Sequence, residues 1–482
     1  MKRLALFLAL LSLASPVLAT CGGGGGGGVG GIPPRNPGFD MPRGMAGGET
    51  GFYPVPWKAA LAGETAPSGV LVLYWFPTSA KDEKSSELQD SRPLTLAAGR
   101  CVALAVVRAD NSELREKYKV AADASIAVLA LAADGSEMAR VQGKYGRPLG
   151  KDEVEKMVKD GIKRREKDVD DLFDAARAKS DHGDKDGAVA LFTKVWEERC
   201  FAERPAKKAA KELKKLGKPV PEQEGLALPA PDLRPATEAA IVRALAKGLR
   251  AENDLRLADA QKGYDEARRL DPGDPVPLRY LGELYRHHIG DWAKAKETLQ
   301  QVLAMRSDPL SRAVALHGLG KMTIHEGDFA KGLGMFEESL RAYPLALTYR
   351  NLAVYWSSEG DADKAYGYVQ QALAVAPGDD YTQIFAATFF VKLGKPDEAA
   401  KVAREHESLL AASYNLAAIW AQLGERDKAL ALLKRHFYAY EQLEAVRRKE
   451  MQEARVDIVF ASLKTDPAFQ ELTSLADGAG MH

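Results

Sequence analysis

Three cysteines in 482 residues, Cys21, Cys101 and Cys200, are too few for the cross-linked framework that small secreted domains rely on, so stability must come from packed cores. Charge of one sign is also missing: 67 basic and 67 acidic residues cancel, which removes the long-range field that nucleic acid or an anionic membrane surface would require. Beyond residue 20 no apolar run approaches the length needed to span a bilayer. Gly-rich phosphate loops, Gly-x-Ser-x-Gly elbows and His-Glu-x-x-His are all absent from the sequence. The histidines give no ligand set: His287 and His288 are adjacent and point to different sides of a helix, and His317, His325, His406 and His436 have no partner four residues on. No cofactor or metal is expected, and catalysis has no constellation to rest on.

The N-terminus is positive (Lys2, Arg3), then apolar from Leu4 to Leu13 apart from Ser12, and ends in small residues at Ala19. That order predicts a secretory signal over 1–20. Leu18-Ala19-Thr20-Cys21 also resembles the bacterial lipobox, with Thr20 departing from the usual small residue, which would make Cys21 a lipidation site and the mature N-terminus. The alternative is a plain leader on a soluble secreted protein. Residues 21–50, rich in Gly and Pro, have nothing to bury and are expected to form a disordered tether.

Five Gly-plus-polar turns organise the second half: Gly290-Asp291, Gly327-Asp328, Gly360-Asp361, Gly394-Lys395 and Gly424-Glu425. Each separates two helix-periodic segments and is followed by a small residue, Ala295, Gly332, Ala365, Ala399 or Ala429, where two helices could approach closely. With Pro272, Pro309, Pro344 and Pro377 near the ends of second helices, the pattern over 236–437 resembles the tetratricopeptide repeat. The resemblance implies an all-α solenoid that binds a protein or peptide. By analogy with that family, the inner wall would carry Arg279, Glu283, Arg286, Lys321, Arg350, Asn351, Thr388 and Asn415. Of these, Arg279, Arg286, Lys321, Arg350, Asn351 and Asn415 are the expected peptide-binding groove. The equivalently placed Asn351 and Asn415 would pair with an extended backbone, or merely solvate a helix surface.

Before the solenoid, apolar runs at 70–75, 102–107 and 126–131 alternate with helix-like segments, which predicts an α/β layer structure. The wording of 51–165 resembles a thioredoxin-like domain, with Asp134-Gly135 at its hairpin. Ser79-Ala80-Lys81-Asp82 stands where that family has Cys-x-x-Cys, and Ala124 where it has cis-Pro, so neither sulfur needed for exchange is present. The domain reads as redox-silent. Cys101 and Cys200 are expected to be two separate buried thiols, pairing being the alternative in an oxidising compartment.

Residues 166–218 read as a charged helical hairpin region with a solvated lysine stripe at Lys207, Lys208, Lys211, Lys214 and Lys215, 219–235 as a Pro-rich linker, and 438–475 as capping helices, the first from Tyr438 to Glu453. The expectation is a multidomain chain, an α/β thioredoxin-like domain followed by a tetratricopeptide solenoid. Its expected role is a non-enzymatic scaffold of the bacterial envelope, in the periplasm or at the cell surface. It would bind a protein partner and no nucleic acid, and would meet the membrane only through a lipid on Cys21. The alternative role is an accessory factor of envelope thiol-redox or folding pathways.

Overall fold

The computed structural model describes residues 51–60, 71–143, 149–220 and 231–474. The expected signal, the tether and Cys21 lie outside the described residues.

The first unit is a five-stranded mixed sheet. Its strands are β1 (Lys58–Ala59), β2 (Leu71–Phe76), β3 (Val102–Val106), β4 (Ile126–Leu131) and β5 (Glu137–Gln142), in the order β1-β3-β2-β4-β5. β2 lies parallel to β3, in register Leu71↔Val102 to Trp75↔Val106, and antiparallel to β4, in register Leu71↔Leu131 to Phe76↔Ile126. β2 and β4 are continuous apolar runs because both are central and covered on two faces, whereas β5 at the edge alternates exposed with half-buried positions. Helices α1 (Ala80–Ser85) and α2 (Arg92–Ala98) connect β2 to β3, and α3 (Ser112–Lys117) connects β3 to β4.

Helix α4 runs unbroken from Lys151 to Asp181, so the boundary expected at 165/166 falls inside one rigid element. Its first half buries Val154, Met157, Val158 and Gly161 against the sheet, where a Cβ on Gly161 would strike the Leu129 side chain. The second half buries Val169, Phe173 and Ala176 against α5 (Lys185–Glu197) and α6 (Glu203–Lys215), with the Phe173 and Phe192 rings 5.6 Å apart. One helix therefore belongs to two cores.

The two cysteines are not separate thiols. Cys101, at the entrance to β3, and Cys200, after α5, form a disulfide with their Cα atoms 6.0 Å apart and 99 residues of separation. Neither sequence neighbourhood signals the other; only the return of α5 along α4 brings them together.

From Pro235 six helical hairpins follow: α7 (Pro235–Asn253) with α8 (Leu257–Leu270), α9 (Val276–Leu284) with α10 (Trp292–Ala304), α11 (Pro309–His325) with α12 (Phe329–Ala342), α13 (Ala346–Ser358) with α14 (Ala362–Val375), α15 (Asp380–Phe390) with α16 (Pro396–Glu405), and α17 (Ser413–Gln422) with α18 (Arg426–Arg435). The Gly-Asp dipeptides solve both ends of a turn at once. Gly290, Gly327 and Gly360 take φ of 75°, 95° and 83°, which a side chain would resist. The following Asp291, Asp328 and Asp361 each accept a hydrogen bond from the backbone N–H three residues on, capping the second helix. Close helix approach depends on the small residues: a Cβ on Gly263 would lie 2.7 Å from the Gly248 backbone.

At the C-terminus α19 spans Glu444–Val456 and α20 Pro467–Leu472. The helix expected from Tyr438 is interrupted, because Tyr438 lies in a π-turn (His436–Tyr440) that ends in extended backbone at Glu441. On α6, Ala206, Ala209, Ala210 and Leu213 face the core while the lysine stripe stays exposed.

Candidate protein-interaction surface

The six residues expected to line a groove do lie on successive first helices, but most are packed between hairpins. Arg279 and Asn415 are fully buried, and Arg286, Lys321 and Arg350 are 5%, 8% and 6% exposed. Their donors point along the solenoid. Arg279 Nη1 donates to Ser311 Oγ at 3.1 Å, Lys321 Nζ to Asn351 Oδ1 at 2.7 Å, and Arg350 Nη1 to Thr382 Oγ1 at 2.6 Å. Asn415 Nδ2 donates to the Tyr381 hydroxyl at 2.9 Å, Gln422 Nε2 to the Thr388 carbonyl at 3.1 Å, and His317 Nδ1 lies 3.0 Å from Thr348 Oγ1. Each link joins neighbouring first helices, so together they form a polar ladder through the stack from α9 to α17.

Arg286 is turned to its own helix, donating to Glu283 at 3.2 and 2.7 Å, with His287 against the same carboxylate at 3.0 Å. Burial pushes the Glu283 carboxyl up, but Arg286 and His287 outweigh it and hold it well below the usual carboxylate range. Burial and the Arg286 charge push His287 down to about 3, and burial likewise keeps His317 neutral. His288 faces the other way, 3.2 Å from Glu252. Among the described residues no group of three or more His, Cys, Asp or Glu side chains could hold a metal ion.

Every residue of α9 is buried, as is nearly all of α17, so these helices offer no open wall. Between α9 and α17, exposure along the first helices concentrates on α13 and α15, where Tyr349, Asn351, Tyr355, Trp356, Tyr381 and Phe389 are half-buried. Asn351 is the member of the expected groove that keeps solvent access, its Nδ2 donating to the Leu347 carbonyl at 2.9 Å. The signal for the ladder is present in the sequence as small hydroxyl residues on α11, α13 and α15: Ser311, Thr348 and Thr382 are all fully buried.

In the α/β unit Ser79 caps α1 through the Asp82 N–H at 3.1 Å, and Asp82 accepts from Thr78 N and Oγ1 at 2.9 and 3.1 Å. Those side chains are committed to starting a helix.

Sequence reading missed the joint between the α/β unit and the solenoid. Arg92 on α2, 1% exposed, pairs with Asp274 at 2.8 Å and with Asp271, and donates to the Asp232 carbonyl at 2.7 Å. The Tyr53 hydroxyl donates to the same Asp274 at 2.6 Å, and Phe52 packs edge-on to Tyr280 with ring centres 6.2 Å apart. Phe52 and Tyr53 thus belong to the solenoid core.

Residues 278–313, covering α9, α10 and the start of α11, match the family model of the tetratricopeptide repeat. That stretch of the chain is a tetratricopeptide repeat. A curated relative, the cellulose synthase operon protein C of Xanthomonas axonopodis pv. citri (strain 306), is 28% identical over 166 residues, 33% of this chain; the chain spans about a tenth of that protein's length. Among solved structures, a tetratricopeptide repeat protein from Parabacteroides merdae ATCC 43184 aligns at 14% identity over 59% of this chain and 98% of its own, with a TM-score of 0.34. PilF of Pseudomonas aeruginosa aligns at 14% identity over 45% of this chain and 99% of its own, with a TM-score of 0.32. No helix among the described residues is long and apolar enough to cross a membrane.

Proposed function

We propose that this chain is a non-enzymatic scaffold of the bacterial cell envelope whose tetratricopeptide repeats hold a partner protein or an extended peptide. The observation that carries the reading is the half-buried aromatic and amide surface of α13 and α15, the most accessible first helices between α9 and α17. Aromatic side chains there supply contact area at low entropic cost, and Asn351 offers a donor and an acceptor to a peptide backbone. Export is supported by the signal-like N-terminus and by a disulfide, which persists in oxidising compartments. Cys21 would carry the lipid.

The α/β unit is proposed to be thioredoxin-like, on the strength of its strand order and directions, and to act as a redox-silent packing module clamped to the repeats through Arg92.

The test is affinity purification from envelope fractions followed by mass spectrometry, with Tyr349→Gln/Tyr355→Gln, two half-buried residues outside the ladder, as the binding variant and Cys21→Ala as the anchoring variant. The double variant is expected to melt with the wild type and to lose the co-purifying partner. Retention of that partner at wild-type yield would place binding elsewhere. Cys21→Ala is expected to move the protein from the membrane fraction into the soluble envelope fraction, and a wild type already soluble there would end the lipid-anchor reading.

A further inference from the structure

The disulfide sits where three units meet. Cys101 opens β3 of the α/β unit, Cys200 lies in the α5–α6 connection, and Arg306, between α10 and α11 of the solenoid, donates to the carbonyls of Cys200 and Arg199 at 3.1 and 3.3 Å. The backbones approach so closely here that a Cβ on Gly99 would lie 2.3 Å from the Arg306 carbonyl oxygen. Both cysteines are half-buried and pack against the core of the α/β unit.

The surroundings are cationic. Arg100 and Arg199 are the chain neighbours of the two cysteines, and Arg306 is held against both strands of the joint. Burial pushes the Arg306 guanidinium down; the charges of Arg100 and Arg199 push it further, with Glu203 opposing them. Glu166 and Glu203 also lie within reach of Arg100. Cationic charge gathered at this joint would favour a departing thiolate, and a better thiolate is a better leaving group in exchange.

We propose that Cys101–Cys200 is a thiol–disulfide exchange site for an external dithiol, and that its reduction loosens the joint where the entrance of β3 meets the α5–α6 connection. The thiolate of the dithiol attacks one sulfur, forming a mixed disulfide, while the electron pair of the broken S–S bond leaves on the other sulfur as a thiolate. The second thiol of the reductant, its proton lost to solvent, then attacks the mixed disulfide and releases the remaining cysteine as a thiolate. The dithiol is oxidised to its disulfide, the protein gains two electrons, and the thiolates take protons from solvent. This chemistry uses none of the residues at the Ser79–Asp82 position, and it does not depend on what the repeats bind.

The experiment uses the full chain purified without reductant from an oxidising compartment. Non-reducing digestion and mass spectrometry should yield the Cys101 and Cys200 peptides linked; free thiols in both would overturn the proposal. Dithiothreitol added to the folded protein should open the bond several-fold faster in the wild type than in Arg100→Gln or Arg306→Gln, each compared at matched thermal stability. Equal rates in all three proteins would remove the arginines from the chemistry and refute an exchange site. Reduction should also raise trypsin cleavage around Arg199 roughly tenfold, because the protease samples the opened joint. An unchanged digest after complete reduction would show that the bond latches nothing.

Discussion

Replacing Arg92 by methionine tests how the two halves of the molecule are joined. The substitution keeps roughly the same volume but leaves Asp271 and Asp274, 2% and 1% exposed, without their cation. Removing one partner of a buried ion pair costs about 3–5 kcal/mol. Here the lower end applies, because each carboxylate keeps other donors. Asp274 retains the Val276 N–H at 2.9 Å and the Tyr53 hydroxyl at 2.6 Å, and Asp271 retains the Gly273 and Asp232 N–H groups at 2.9 and 2.8 Å. At about 2–4 °C per kcal/mol for a unit of some 150–250 residues, about 3 kcal/mol lowers the melting of the α/β unit by roughly 6–12 °C. A chain of several units need not melt in one step, so the readout must be local. Trp75, buried in the sheet core with its ring 5.2 Å from Trp57, reports it through fluorescence. Burial already holds the Asp274 carboxyl above its ordinary value of 3.8, and losing Arg92 raises it further. A carboxyl with a raised folded pKa binds more protons folded than unfolded, so the variant must regain stability as pH falls toward 3.8. Adding Asp274→Asn to Arg92→Met should restore at least half of the lost melting temperature. A variant melting within about 1 °C of the wild type, with no pH dependence of the difference, would refute the joint as described.

Two further outcomes follow from packing and burial. Gly263→Ala places a methyl against the Gly248 backbone at 2.7 Å, where only helix separation can relieve the clash, so thermal unfolding of the first hairpin should weaken by about 1–3 kcal/mol. Asp457, buried at the C-terminal cap and pushed by burial up from 3.8 to about 6, makes stability fall as pH rises across that window; Asp457→Asn should flatten the denaturation midpoint between those pH values, and an unaltered slope would acquit this carboxyl.

Legibility in the sequence followed the range of the interaction. The Gly-Asp turns were readable because one dipeptide holds both the left-handed residue and the cap of the next helix, and the three central strands because each is a contiguous run of strand formers. β1, two residues long at the sheet edge, carries no periodicity that could reveal it. Arg92 was invisible for a different reason: its partners lie 179 and 182 residues away, and an arginine on a short helix looks solvated until the tertiary fold buries it. The disulfide, across 99 residues, belongs to the same class.

The groove residues show how a correct face can be assigned an incorrect environment. The analogy with the tetratricopeptide repeat places polar side chains of successive first helices against a ligand, and a charged group on an amphipathic helix is ordinarily left in water. In a solenoid the next hairpin is as near as any ligand, and the chain supplies a hydroxyl or amide to meet each donor: Ser311 for Arg279, Thr382 for Arg350, Asn351 for Lys321. Burying Arg350 without Thr382 would leave a charged donor poorly satisfied, at a cost of roughly 1–3 kcal/mol, whereas with it the pair fixes how far one hairpin can slide on its neighbour. The ladder is therefore a register device before it can be a recognition device. It also explains why a substitution such as Arg350→Glu would report on stacking of the repeats and could not isolate partner binding.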